Sequence, residues 1–108
     1  MISIEDFKKG EIRFGTIVKA EKLEGADKLL VLGVDLGEES PRQILSGIAL
    51  YFPEPSVLVG RQMAFVTNLE PKELRGHMSH GMILAATAED GIAFLEPSKK
   101  VPNGTLVK

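Results

Sequence analysis

Between Asn68 and Met82 the chain gathers side chains suited to binding: Lys72 and Arg75, Glu70 and Glu73, both histidines, His77 and His80, and Ser79. Amides, a hydroxyl and imidazoles beside two cations are groups that contact phosphate and ribose. A long polar loop in a small domain is usually functional or disordered. His77 and His80 stand three residues apart among glycines, which would suit a metal. There is no cysteine, however, and no acid stands nearby at ligand spacing, so no metal and no cofactor are expected. The plainer reading is a polar connection over residues 68–81 with solvated histidines and with Met82 in the core. From residue types alone that plainer reading is favoured.

Catalytic patterns are missing elsewhere. There is no Gly-x-x-x-x-Gly-Lys phosphate loop and no Gly-x-Gly-x-x-Gly turn. Ser46 sits in Leu-Ser-Gly, not in a hydrolase elbow. With no nucleophile–base pair, the chain is expected to catalyse nothing. One Tyr, five Phe and no Trp are too few for the exposed platforms on which single strands stack. That leaves a partner read through shape and backbone, as folded RNA is.

The 108 residues, 44% apolar and 26% charged, bound these possibilities. They fit one globular domain over residues 1–108 and exclude wholesale disorder. The lack of cysteine removes a disulfide scaffold, a thiolate zinc site, an iron–sulfur cluster and a Cys nucleophile, and it suits a reducing cytoplasm. No apolar run approaches the roughly 20 residues of a membrane span. The first residues, Met1 to Asp6, lack the basic-then-apolar order of a signal peptide. A cytoplasmic location away from membranes is therefore expected. The net charge of -2 opposes binding driven by a large positive field. Residues 1–40 carry six Lys/Arg against nine Asp/Glu, and residues 41–108 carry seven against six. An anionic partner would more easily meet the second part, although scattered solvated charge explains the difference equally well.

Elements that could position these side chains follow from pattern and punctuation. Ser3 with Asp6 three residues on predicts a capped helix over about residues 4–9, stapled by Ile2 and Phe7 and stopped by Gly10. From Ile12 the period becomes two, with Ile12, Phe14, Thr16, Val18 and Ala20 on one side and Gly15 marking a bend or bulge. Leu29–Leu36 predicts a second strand with Leu30, Leu32, Val34 and Leu36 in register. Arg42–Ser46 predicts a third. Ile48–Phe52, between Gly47 and Pro53, reads as a short helix plugging a barrel end. Arg61–Thr67 is apolar on both faces and predicts a strand buried on both sides. Met82–Ala86 and Gly91–Leu95 are further strand segments, and Leu106 and Val107 end the chain as an apolar pair. The sum is an all-β fold: an OB-fold five-stranded barrel with a short N-terminal helix and a short helix between strands 3 and 4. An SH3-like barrel fits the strand count but not that insertion.

Ordered blocks then give a resemblance. Gly25-Ala26-Asp27-Lys28-Leu29-Leu30, Val34-Asp35-Leu36-Gly37, Arg42-Gln43-Ile44, Ser46-Gly47-Ile48, Tyr51-Phe52-Pro53-Glu54 and Leu58-Val59-Gly60-Arg61 come first. Val66, Asn68-Leu69, Pro71-Lys72, Leu74-Arg75-Gly76 and Ser79-His80-Gly81-Met82 complete them. Together, from about Ile4 to Val107, the chain resembles the tRNA-binding domain family. That family includes the C-terminal domain of many methionyl-tRNA synthetases and a bacterial stand-alone tRNA-binding protein. The resemblance implies an OB-fold that binds folded tRNA with little sequence preference, standing alone or within a synthetase. For bacterial forms it also implies a homodimer. Carried over residue by residue, it puts Lys28, Arg42, Ser46, Asn68, Lys72, Arg75, Ser79 and Met82 on or near the RNA-facing surface, Ser79 and Met82 foremost. Each has a bland counterpart: Ser46 capping the next turn, Asn68 holding loop backbone, Arg75 merely solvated. His80 departs from the Glu or Gln frequent in the family, and Glu11-Ile12-Arg13-Phe14 departs from Asp-Leu-Arg-Val. The alternative is a peptide-binding export chaperone of the CsaA type, which shares fold and size. Asp27-Lys28-Leu29 with Ser46-Gly47-Ile48 resembles the tRNA-binding branch instead. A purely structural dimerisation domain is the third reading.

Overall fold

The computed structural model describes residues 1–108. One helix, α1 (Ile4–Phe7), precedes ten strands: β1 (Ile12–Leu23), β2 (Ala26–Asp35), β3 (Arg42–Ser46), β4 (Gln62–Val66), β5 (Lys72–Leu74), β6 (His77–Ser79), β7 (Met82–Ile83), β8 (Ala85–Ala88), β9 (Gly91–Phe94) and β10 (Leu106–Val107). The all-β class is as the sequence predicts. At α1 the Asp6 amide donates to Ser3 Oγ at 3.1 Å, the expected cap. The Asp6 carboxylate does not reach back to the cap; it pairs with Lys9 at 3.2 Å. The helix ends at Phe7, two residues short of expectation. In place of one helix between β3 and β4 there are two 3-10 turns, Ala49–Tyr51 and Pro55–Leu58.

The main sheet runs β3-β2-β1-β4-β7, with β10 added on β1. Its inner face is the core. Leu30, Leu32, Val34 and Leu36 line it in the predicted alternation, beside Ile44, Met63 and Phe65. On β1 the predicted phase is inverted. Gly15 and Ile17 point inward, whereas Val18 is exposed. A bulge three residues later than expected then shifts the phase back. Ile17 faces Val34 while Lys19 faces Gly33, so Val18 is the unpaired extra residue and Ala20 returns to the core. Gly15 is a close-approach glycine instead. A Cβ there would sit 2.7 Å from Leu36 Cδ2 and 2.8 Å from Val34 Cγ1.

Five strands form the sheet path, but the predicted barrel is not closed, because β3 and β7 do not pair. One backbone acceptor and one donor on the free edge of β3 are taken by the segment preceding β7. The His80 amide donates to the Gln43 carbonyl at 2.9 Å, and the Leu45 amide donates to Ser79 Oγ at 3.0 Å. A hydroxyl thus stands where the next strand's carbonyl would complete the ladder.

Met63, Ala64 and Phe65 of β4 are buried on both faces, as predicted. Their cover comes from the same chain. The Ala64 amide donates to the Leu95 carbonyl at 2.9 Å and the Leu84 amide to the Ala64 carbonyl at 3.0 Å. The predicted Met82–Ala86 strand divides into β7 and β8, and β8 turns back on β9 as a separate hairpin. The final apolar pair becomes β10, whose Val107 and Leu106 face Ile12 and Arg13 of β1. Arg13 Nη1 fastens this segment by donating to the Gly104 carbonyl at 2.7 Å.

Candidate nucleic-acid interface

The polar stretch 68–81 is not a plain loop. Lys72–Leu74 and His77–Ser79 pair as an antiparallel hairpin, with Leu74 opposite His77. That leaves Arg75 and Gly76 as a two-residue turn with φ of 52° and 82°, the left-handed pair that matches strand twist. Glycine adopts this freely and arginine does so seldom. The turn carries none of the Asn-Gly or Asp-Gly signal by which a sequence announces it.

A groove of about 600 Å3 lies beside this hairpin, bounded by Leu45, Leu69, Lys72, Leu74, Ser79 and Met82. Met82 pairs with Val66 in β7 and is 46% exposed, so it belongs to the surface and not to the core. The expectation of a core Met82 is thereby corrected. Lys72 extends from β5 at the groove edge, opposite Ser79, and is exposed. Ser79 is buried at 5%. Its Oγ accepts from the Leu45 amide and donates to the Gly81 carbonyl at 3.1 Å. Its proton and one of its two acceptor positions are used inside the chain.

The other candidate residues sit farther apart. Ser46 ends β3 opposite Leu30, one residue beyond groove-lining Leu45. It does not cap the next turn, whose cap position, Ile48, has no side-chain bond. Lys28 is exposed on β2, with its carbonyl 4.0 Å from where a Gly47 Cβ would lie. Arg75 marks the hairpin tip and is exposed. Asn68 faces the opposite way. Its Oδ1 accepts from the Glu11 amide and its Nδ2 donates to the Lys9 carbonyl, both at 2.7 Å. It holds backbone, as its bland reading has it, though the backbone of the α1–β1 link. Arg42 is 23% exposed and bonds Glu38 along with the Thr67 and His80 carbonyls. The structure therefore gathers Lys72, Ser79 and Met82 at one groove, which Ser46 does not line. Sequence reasoning missed Gln43, whose Nε2 donates to the Met78 carbonyl at 2.9 Å. Its only signal was a polar residue on a free strand edge.

Near Arg42 the Glu11 carboxyl is held below the ordinary carboxylate value. The hydrogen bond from Arg13 is the main cause and that from Thr67 Oγ1 the second, against a partial desolvation that pulls upward. His77 and His80 are exposed, and no group of three or more His, Asp or Glu side chains gathers at metal-binding spacing.

Residues 12–106 match the family described as "Putative tRNA binding domain". The chain belongs to the tRNA-binding domain family. It is 51% identical over 106 residues to a methionine–tRNA ligase of Helicobacter pylori strain J99, a match covering 98% of this chain and 16% of the ligase. Against the methionine–tRNA ligase of Enterococcus faecalis strain V583 the identity is 43% over 104 residues, covering 95% and 16%. The chain thus spans about one sixth of the length of these relatives, and the family domain is an accessory, non-catalytic part. Among solved structures, a MetRS-related protein from Pyrococcus horikoshii superposes with a TM-score of 0.89 at 37% identity, covering 100% of this chain and 98% of that one. The chaperone CsaA of Bacillus anthracis gives 0.87 at 29%, covering 100% and 99%. No helix of this tRNA-binding domain is long and apolar enough to cross a membrane.

Proposed function

We propose that residues 1–108 form one cytoplasmic domain that binds folded tRNA through the groove and the β5–β6 hairpin. It acts alone or as the C-terminal part of a methionyl-tRNA synthetase, raising the effective tRNA concentration there. The family match over residues 12–106 carries this reading. Lys72 at the groove edge and Arg75 at the hairpin tip supply charge toward phosphate, and Lys28, exposed on β2, is a further cation. Met82 and the leucines offer an apolar floor. With a net charge of -2 few phosphates are neutralised, so log K should fall with log salt at a slope of about −3 rather than −10. Backbone and shape recognition implies similar affinity for tRNAs of different anticodon. A gel shift with total tRNA, an unstructured RNA of equal length and an unfolded peptide tests this. Preference for tRNA supports it. Equal binding of both RNAs without response to Lys72→Ala sinks it. Preference for peptide favours a CsaA-like export chaperone, a reading supported by the groove's apolar lining.

Assembly as a homodimer is part of the same proposal, on different grounds from those the sequence suggests. The two-faced strand β4 needs no second copy, because its own chain buries it. One exposed apolar surface lies instead at the seam of α1 and β10. Ile4, Phe7, Leu106 and Val107 border a groove of about 610 Å3 there. An isologous contact across this seam would cover it and the free edge of β10. Light scattering after gel filtration decides, and a single 11.7 kDa species at high concentration overturns the dimer.

A further inference from the structure

The β5–β6 hairpin pairs with no other strand. A lone two-stranded hairpin is marginal in water, so its pose must be set by what ties it down. One backbone bond does so, from the His80 amide to the Gln43 carbonyl. The remaining ties come from side chains. Ser79 Oγ accepts from Leu45, Gln43 Nε2 donates to the Met78 carbonyl, and Arg42 Nη1 donates to two carbonyls, Thr67 at 2.6 Å and His80 at 3.1 Å. Thr67 lies before the hairpin and His80 lies after it, so a single nitrogen closes both ends of the segment. The other edge of the guanidinium is gripped by Glu38, through Nε at 3.2 Å and Nη2 at 2.5 Å. A cation paired with a carboxylate and aimed at two carbonyls has no free fork for a phosphate.

We propose that Arg42 is a positioning residue: it clasps the base of the hairpin and fixes its tilt over the groove, with Gln43 as a second tie, and neither side chain touches RNA. This rests on the tRNA-binding reading above. The rival assignment, a direct Arg42–phosphate contact, is separable by salt. Lys72→Ala serves as the reference for a lost phosphate contact and should reduce the salt slope by about 0.7–0.9. Arg42→Ala should weaken tRNA binding roughly tenfold with the slope unchanged. In the free protein it should speed hydrogen exchange at the His80 amide and across residues 72–79 at least tenfold, while the β1–β2 amides stay protected. Arg42→Lys keeps the charge but lacks the planar fork, so it should behave as Arg42→Ala does. Gln43→Ala, at an exposed position, should show the same pattern more weakly with an unchanged melting temperature, and it remains informative if Arg42→Ala fails to fold. A slope reduced as in Lys72→Ala with unaltered hairpin exchange overturns the proposal, as does full recovery of affinity by Arg42→Lys. Should the wild-type protein bind no tRNA, the functional reading falls, yet hydrogen exchange still decides whether Arg42 and Gln43 hold the hairpin.

Discussion

Ser79 and Met82 stand three residues apart at one groove and make opposite demands on a mutation. Ser79→Ala strips partners from the Leu45 amide and the Gly81 carbonyl, both beside the core. Leaving such groups unpaired costs about 1–3 kcal/mol, so urea midpoints should fall, and any loss of RNA binding should follow from a displaced hairpin. Met82→Ala removes an exposed side chain. Stability should stay within about 0.5 kcal/mol while tRNA binding weakens. A melting scan and a gel shift on both variants check the contrast. Glu11 gives a third test. Its folded carboxyl titrates below the ordinary value of 4.5, so the folded state holds its proton less tightly than the unfolded chain. The stabilisation is complete above that value and disappears as pH falls below it through the lowered one. Stability measured against pH should therefore decline on the acid side, and Glu11→Gln should flatten part of that limb. Resemblance led to Ser79 and Met82 from sequence, but nothing in the residue string says which one points inward. Ser79 turns inward to the Leu45 amide while Met82 stays on the surface of β7, a matter of tertiary contacts.

At the scale of elements, strict alternation was the readable signal. β2 shows it because one face meets the core and the other does not, and its residues fall where the period puts them, whereas β3 buries the adjacent Ile44 and Leu45. β1 defeated the same logic. An unpaired Val18 shifts the phase midway, and a bulge has no fixed composition unless it calls for glycine. The hairpin was hidden for a related reason. Its strands are three residues long and mostly polar, and its turn is Arg-Gly. Gly81 is where the hairpin rejoins the sheet. A Cβ there would lie 2.9 Å from both Ile44 Cδ1 and the Val66 carbonyl. The side chain could shift, but the carbonyl is backbone. Gly81→Ala should therefore destabilise by about 1–3 kcal/mol, the usual cost of overpacking, read as a lowered denaturation midpoint.

Over the whole molecule, the all-β class and the family were legible because the blocks recur in order along nearly the full chain. The open seam between β3 and β7 was not, since closure depends on which groups reach a strand edge and not on how many strands exist. The association of β10 with β1 has a further consequence, for synthesis. Arg13 waits for a carbonyl ninety-one positions later in the chain, and Ile12 for Val107. While the nascent chain lengthens, the first strand can already meet β2 and then β4, yet one flank of its N-terminal end stays bare until the segment around Gly104 emerges. Contacts of such long range are slow to form, and uncovered edges invite association with other chains. A ribosome paused shortly before that segment should therefore display a nearly finished sheet that is sensitive to protease at its N-terminal end and becomes resistant once the remaining residues are added.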